Sequence, residues 1–255
     1  VEDSWTTGVV ELLYRLSIGR AKKVVFQNHS DLKWFLDRKL LGLDQALQVP
    51  GSGVNLSFFS AREPKKRATI EGVVFLMTAR ILKDKGIFEF VEAAKKIKTK
   101  FPQTRFILAG AADVDNPTAI SRHEVENWVS DNIIEYVGNV DDVRPLLDYA
   151  DCVVLPSYRE GLPRTLLEAG SMGRPIIATN VTGCRDVVEH GVNGYLCKPR
   201  DVNDLAQKMN DMIKLSIDEK REMGLRGREK MKRNFDEKVI VQQIVNRIES
   251  VLKAV

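Results

Sequence analysis

The chain has 255 residues, 44% hydrophobic and 29% charged, with 39 Lys and Arg against 35 Asp and Glu for a formal charge of +4. That length allows between one and two domains at roughly 150 residues each, and the composition excludes a disordered or fibrous chain. The small positive excess does not point to nucleic acid; it allows an anionic small molecule or contact with an anionic lipid surface.

In chain order, SWTTGVVELLYRLSIGR reads as a helix and KKVVFQ as a strand. DLKWFLDRKLL reads as a second helix opening at Ser30 or Asp31, and ALQVP is strand-like. Two βα-sized units are too few for an independent domain, so residues 1–50 are expected to be the tail of a preceding domain plus the start of a linker. PGSGVNLSFFSAREPKKRAT, Gly and Pro followed by charge, is the expected linker over 51–72. From Val73 onward GVVFLMTA, RFILAGA, IIEYVG, DCVVLPS, RPIIATN and GYLCKP alternate with helical patterns. That alternation predicts an α/β fold, a Rossmann-like doubly wound parallel sheet over 73–200. Helical spacing continues over 201–255, expected to pack on that domain with its basic cluster as a solvated face. No run approaches the roughly 18 apolar residues of a membrane span. VEDSWTTG lacks signal-peptide organisation and an initiator Met, which suggests a piece of something longer. Cys152, Cys184 and Cys197 form no CxxC pair, as expected in a reducing, cytoplasmic compartment.

The stretch Asp151 to Asp186, DCVVLPSYREGLPRTLLEAGSMGRPIIATNVTGCRD, carries the most chemistry. A buried strand ends at Pro156, a loop follows, and Pro163 suits the first turn of a helix, where its missing N–H costs nothing. Backbone amides from Gly161 to Thr165 then lie at a helix N-terminus beyond a parallel strand, where α/β proteins bind phosphate. Glu160 and Glu168 flank those amides with seven residues between them, and Thr165 shares a helix face with Glu168. Two hydroxyl-accepting carboxylates around an amide cluster match a phosphate with a sugar on each side. Alone, the same residues read equally as a surface charge and a helix-dipole partner. In TARILKDKGIFEF, Arg80 and Lys85 sit in a loop between strand and helix. Taken alone, such cations in a loop are ordinarily solvated.

Taken together, PSYREGLPRTLLEAGSMGRPIIATNVTGCRDVVEHGVNGYL closely resembles the hallmark of glycosyltransferase family four, two-domain GT-B enzymes whose motif is Glu, seven residues, Glu. The resemblance runs from about Lys22 to Val255. It implies the C-terminal, donor-binding half of a retaining, metal-independent transferase, preceded by a remnant of the N-terminal domain. It further implies that Glu160 contacts the donor sugar, Gly161, Leu162 and the neighbourhood of Pro163 hold sugar and phosphate, Thr165 lies over the phosphates, and Leu166 is a further donor-binding residue. Glu168 would accept the ribose hydroxyls, and Arg80 and Lys85 would hold the diphosphate. Departure and attack would use one face of the sugar, with Glu160 no nucleophile. PGSGVN matches a glycine-rich turn at the interdomain cleft, where Gly51 and Gly53 either bring backbone close to substrate or only shape the linker; Asn55 stands where Asp is usual. VGNV, with Asn139 and Val140, matches a pocket for the base, although a structural turn explains Asn139 equally well.

SYREGLPR with TGCRD resembles the branch that transfers galactose or an N-acetylhexosamine from a UDP-sugar donor to lipid-linked sugars during bacterial surface glycan, capsule or lipopolysaccharide assembly. Asp186 replaces a commoner Glu, and Arg164 and Arg185 are donor contacts or scaffold. The implied partners are a UDP-sugar, a saccharide or polyprenyl-linked acceptor, the missing N-terminal domain and a peripheral membrane contact, with no nucleic acid. The fragment is expected to bind donor and to be inactive alone. A phosphorylase or epimerase of the same fold and a non-enzymatic nucleotide-sugar-binding module are the alternatives. Asp113 and Asp115 spell an Asp-x-Asp, but in a Gly/Asn/Pro-rich loop this reads as turn chemistry. His29, His123 and His190 are scattered, so no metal and no cofactor are expected.

Overall fold

The computed structural model describes residues 5–61 and 72–253. Most of the charged half of the expected linker, residues 62–71, lies outside the described residues. Contacts divide the chain into two compact units, one of Val1–Gly53 with Glu237–Val255 and the other of Val54–Asp236.

In the first unit α1 (Trp5–Ile18) precedes β1 (Val24–Phe26), α2 (His29–Asp37) and β2 (Ala46–Gln48), and β1 and β2 pair in parallel. Phe26, Leu32 and Leu41 are its buried centre, with Phe35 packed edge-on against Phe26 and Tyr14. Helix α2 opens earlier than Ser30, at His29, because Asn28 caps it: the Asp31 N–H donates to Asn28 Oδ1 at 2.8 Å. Helix α10 (Glu237–Lys253) groups with this unit, whereas the sequence reading placed all of 201–255 on the sheet domain. An amphipathic period shows that a helix buries one face; it does not show against which body.

The second unit runs β3 (Val74–Thr78), a 3₁₀ turn (Lys83–Lys85), α3 (Ile87–Lys100), β4 (Arg105–Ala109), α4 (Arg122–Ser130), β5 (Glu135–Tyr136), α5 (Arg144–Tyr149), β6 (Cys152–Leu155), α6 (Arg164–Ser171), β7 (Ile176–Thr179), α7 (Cys184–Val187), β8 (Gly194–Cys197), α8 (Val202–Lys214) and α9 (Ile217–Asn234). The six strands are parallel in the order β5-β4-β3-β6-β7-β8. This is the doubly wound order in which the third, second and first strands are followed by the fourth, fifth and sixth. Strands buried on both sides read as unbroken apolar runs, and VFLM of β3 and CVVL of β6 are fully buried. Phe75 and Phe106 stack 5.4 Å apart beneath Phe90 of α3. Burying such a side chain contributes about 1.5–3 kcal/mol, against about 1 kcal/mol for a helix cap. The sheet core therefore outweighs the Ser121, Asp201 and Ser216 caps that start α4, α8 and α9.

Helix α3 packs on α8, and α6 on α9. Arg228 of α9 donates to the carbonyls of Phe59 at 2.6 Å and Leu56 at 3.0 Å, and to that of Ser171, holding the start of this unit to the end of α6. No described helix is long and apolar enough to cross a membrane.

Two glycines of α9 separate helix propensity from close approach. A Cβ on Gly227 would meet Asn193 Cβ at 3.5 Å, an ordinary contact, whereas one on Gly224 would lie 1.9 Å from the Gly173 carbonyl oxygen. Gly227→Ala is expected to stabilise the chain by about 0.5–1 kcal/mol through helix propensity, and Gly224→Ala to destabilise it by about 1–3 kcal/mol through overpacking. Urea denaturation of both variants checks this; equal signs would show that the α6–α9 contact does not set the cost.

Candidate functional site

The strand order reverses between β3 and β6, so their following helices diverge and leave a crevice at the carboxyl end of the sheet. Both chemistry-bearing segments emerge there. After β3 come Arg80, the turn Lys83–Lys85 and Gly86; after β6 comes the loop from Pro156 to Pro163 and then α6.

Two glycines permit these loops to touch. Gly86 has φ of +75°, and a Cβ there would lie 2.2 Å from the Pro156 carbonyl oxygen. Gly183, after β7, has φ of +77°, and its Cβ would lie 2.3 Å from the Gly161 carbonyl oxygen. Across the first contact the Tyr158 N–H donates to the Asp84 carbonyl at 2.9 Å. The result is an ion pair the sequence did not suggest: Lys85 Nζ donates to Glu160 Oε1 at 2.6 Å, with both side chains largely buried. An ammonium has three donors, so one bond to Glu160 leaves capacity for a second anion.

Helix α6 begins at Arg164 with Pro163 as its cap residue. The Leu166 and Leu167 N–H groups reach back to the Pro163 carbonyl at 3.0 and 3.3 Å, which leaves the Arg164 and Thr165 amides as the ones without an intrahelical partner at the start of α6. The Leu166 side chain is fully buried in the main core, so its contribution to the site is limited to backbone. Leu162 is half-buried against the same core, Pro163 is buried and Gly161 is exposed. The Thr165 hydroxyl donates to the Thr78 carbonyl at 3.2 Å, tying α6 to the end of β3 and leaving that oxygen to act only as an acceptor. Glu168 lies one turn further on, its side chain 17% exposed. Burial raises its carboxyl above the ordinary value, partly opposed by Arg164, whose Nε lies 3.8 Å away.

The remaining expected residues lie further out. Arg80 is exposed in the loop after β3. Asn139 is exposed and Val140 half-buried, beyond β5 and two strands from the crevice. Their loop is joined to the end of β4 through Gly110, whose N–H donates to the Gly138 carbonyl at 2.8 Å. Gly53 ends the first unit, buried, with φ of 72°. Asn55 Oδ1 accepts the N–H groups of Ser57 and Phe58 at 3.1 and 2.8 Å, a turn role that an Asp would fill equally. Asp113 accepts the Arg122 N–H at 3.0 Å and its Nε at 3.4 Å, which is work at the start of α4.

Sequence reasoning passed over Gly86, Gly183, Tyr158, Glu89 and Arg200. Tyr158 donates its hydroxyl to Glu89 Oε1 at 2.7 Å, and the Arg200 guanidinium lies 4.5 Å from its ring centroid. A Gly between a charged turn and a helix, and an acid flanked by apolar residues in IFEFV, were the available signals.

The family model described as glycosyl transferases group 1 matches residues 72–214, more than half of the chain. An N,N'-diacetylbacillosaminyl-diphospho-undecaprenol alpha-1,3-N-acetylgalactosaminyltransferase of Campylobacter jejuni is 29% identical, over 97% of this chain and 65% of that protein. A putative colanic acid biosynthesis glycosyltransferase of Escherichia coli is 27% identical, over 81% of this chain and 52% of its own length. The chain thus spans between half and two thirds of these relatives. Among solved structures, a sucrose-phosphate synthase from Thermosynechococcus elongatus superposes with a TM-score of 0.82 at 22% identity, covering 99% of this chain and 65% of that one. The Anabaena protein HepE in complex with UDP also gives 0.82, at 20% identity, covering 94% and 68%. These likenesses establish the fold, that of the C-terminal Rossmann-like domain of GT-B enzymes.

The raised carboxyl of Glu168 gives a signed expectation for the ligand-free chain. A folded state that holds a proton more tightly than the unfolded state loses stability as pH rises through the window between the ordinary value of 4.5 and the raised one. Glu168→Gln removes that loss, so the variant's stability relative to the parent should increase with pH across this window and then level off. Denaturation at a series of pH values measures it; a variant whose stability relative to the parent falls as pH rises would mean that the carboxylate is stabilised by its surroundings.

Proposed function

This chain belongs to the glycosyl transferases group 1 family, and on that premise we propose that it holds the UDP-sugar donor of a retaining, metal-independent hexosyl or N-acetylhexosaminyl transfer in bacterial surface glycan assembly. The observation that carries the reading is the Lys85–Glu160 pair beside the N-terminus of α6, at the crevice where the strand order reverses. On this reading a cation for phosphate stands next to a carboxylate for sugar hydroxyls.

In this reading the diphosphate meets the first amides of α6, Lys85 and Arg80, and Glu168 takes the ribose hydroxyls. Hydroxyl donors would compensate the burial that raises its carboxyl. The base lies against Asn139 and Val140, and Gly161, Leu162, Pro163, Thr165 and Leu166 complete the donor contacts, the last through its backbone. When the anomeric C–O bond breaks, its electron pair stays on the diphosphate, where Lys85, Arg80 and the helix end stabilise it. The acceptor hydroxyl attacks the same face and passes its proton to the departing oxygen. Glu160 orients the sugar and does not attack. Because fixed cations supply the charge, no divalent metal is required.

The uridine diphosphate assignment is supported by the Anabaena structure solved with UDP. The N-acetylhexosamine and the polyprenyl-linked acceptor are supported by the name of the Campylobacter relative. The acceptor is held largely by a preceding domain, to which residues 1–50 belong as its tail, and the whole enzyme works at the cytoplasmic face of the membrane as a peripheral protein.

UDP at about 100 times its dissociation constant should add about 2.7 kcal/mol of stability, read as a thermal shift, with or without a chelator. Glu168→Gln should reduce UDP affinity, whereas Glu160→Gln should spare UDP and weaken binding of the sugar nucleotide. No shift at millimolar UDP, or equal effects of both variants on UDP, sinks the role assignment.

Without an acceptor wall the chain should transfer sugar far more slowly than its full-length parent, since alignment of two reactants is worth about 7–11 kcal/mol of the barrier. Turnover of a radiolabelled UDP-sugar on membrane-extracted acceptors compares the two. Comparable rates would place the acceptor site within these 255 residues.

A further inference from the structure

Beside the Lys85–Glu160 pair lies a second set of contacts with no part in the chemistry above. All of them converge on Tyr158, two residues before Glu160 in the same loop. Its N–H donates to the Asp84 carbonyl at 2.9 Å, directly before Lys85. Its hydroxyl donates to Glu89 Oε1 at 2.7 Å in the first turn of α3, and its ring lies under the Arg200 guanidinium at 4.5 Å. Arg200 has φ of 58°, in the left-handed region that a residue with a Cβ seldom adopts. Glu89 is 9% exposed, and its Oε2 has no hydrogen-bond partner among the described residues, so the Tyr158 hydroxyl is what anchors that buried carboxylate.

We propose that Tyr158 is a positioning residue for the donor sugar: clamped between Glu89 and Arg200, it locks the Lys83–Lys85 turn to the loop that presents Glu160. The inference rests on the donor-binding reading given above. Burial, then the bond to Glu89, pushes the phenol up to about 12, so the hydroxyl keeps its proton and remains the donor at neutral pH. The clamp grips the β6–α6 loop on the Glu160 side only. Thr165 and Glu168 stand on α6, which is fixed independently by the buried Leu166 and Leu167. Lys85, the diphosphate cation on the clamped turn, keeps its place through the Tyr158 N–H bond to Asp84 and the Gly86–Pro156 contact, which changes of side chain at Tyr158 or Glu89 leave intact, so loosening the Tyr158 ring frees Glu160 and leaves the nucleotide half of the site in place. Removing its hydroxyl deprives the buried Glu89 carboxylate of a charge-assisted bond, and a loss of that kind corresponds to about tenfold in an equilibrium.

Calorimetric titration of the chain with UDP and with UDP-N-acetylgalactosamine, each for the parent, Tyr158→Phe, Glu89→Ala and Glu89→Gln, tests this. The expected result is a shift of about tenfold in the ratio of the two dissociation constants, against the sugar nucleotide, for Tyr158→Phe and Glu89→Ala, with UDP affinity within twofold of the parent. Glu89→Gln keeps an acceptor for the phenol and should restore the parent ratio. A general structural role would lower both affinities together and follow the melting temperature. An unchanged ratio in Tyr158→Phe, or equal loss of both ligands, overturns the positioning role while leaving the donor site intact. Failure of the parent to bind UDP overturns the donor reading and this inference with it.

Discussion

Lys85 and Glu160 meet because two loops leaving the carboxyl ends of neighbouring parallel strands approach until only a glycine fits between them. Gly86 against the Pro156 carbonyl sets that distance, and the 2.6 Å ion pair follows from it. A Cβ at this position would push the turn away from the loop and separate the charges. The same contact aligns Asp84 with the Tyr158 amide, so the turn and loop are joined at backbone and side-chain level. Adjacent β3 and β6, with their helices wound to opposite sides, are what bring the loops together in the first place.

The two motif carboxylates, eight positions apart, occupy different electrostatic settings. Glu160 is neutralised by a lysine from another loop, whereas Glu168 is buried on α6 with only a distant, exposed arginine nearby, and burial raises its carboxyl. A paired carboxylate is held in orientation; a buried one waits for donors. The charge of Glu160 also reaches Cys184 behind it, whose thiol is pushed up to about 12, chiefly by burial and next by that charge. Cys184 is thus an inert part of the packing under Gly183, consistent with its full burial.

Much of the fold was legible from pattern alone. Apolar runs of β-strand length alternating with helical spacing announced six parallel strands, and all six are present; the four inner strands are apolar because they are buried on both faces, whereas the edge strands β5 and β8 are only partly buried. SYREGLP followed by a helical pattern announced a helix starting just after β6, because Pro at a helix start is a local backbone rule. Helix α2 was read late because Asn28, lying ahead of the apolar period, was not read as its cap.

By itself the sequence determined which residue types were available to the site and on what elements they stood. Arg80, Lys85, Glu160 and Glu168 were visible as chemistry, since periodicity and turn preferences are properties of neighbours along the chain. Tertiary structure alone decided that Lys85 and Glu160, 75 positions apart, share one bond, that Tyr158 reaches Glu89 across 69, and that Leu166 turns into the core. It also decided that α10 joins the first unit. Such pairings depend on strand order and on how closely two backbones approach, and no local pattern in the chain encodes either distance.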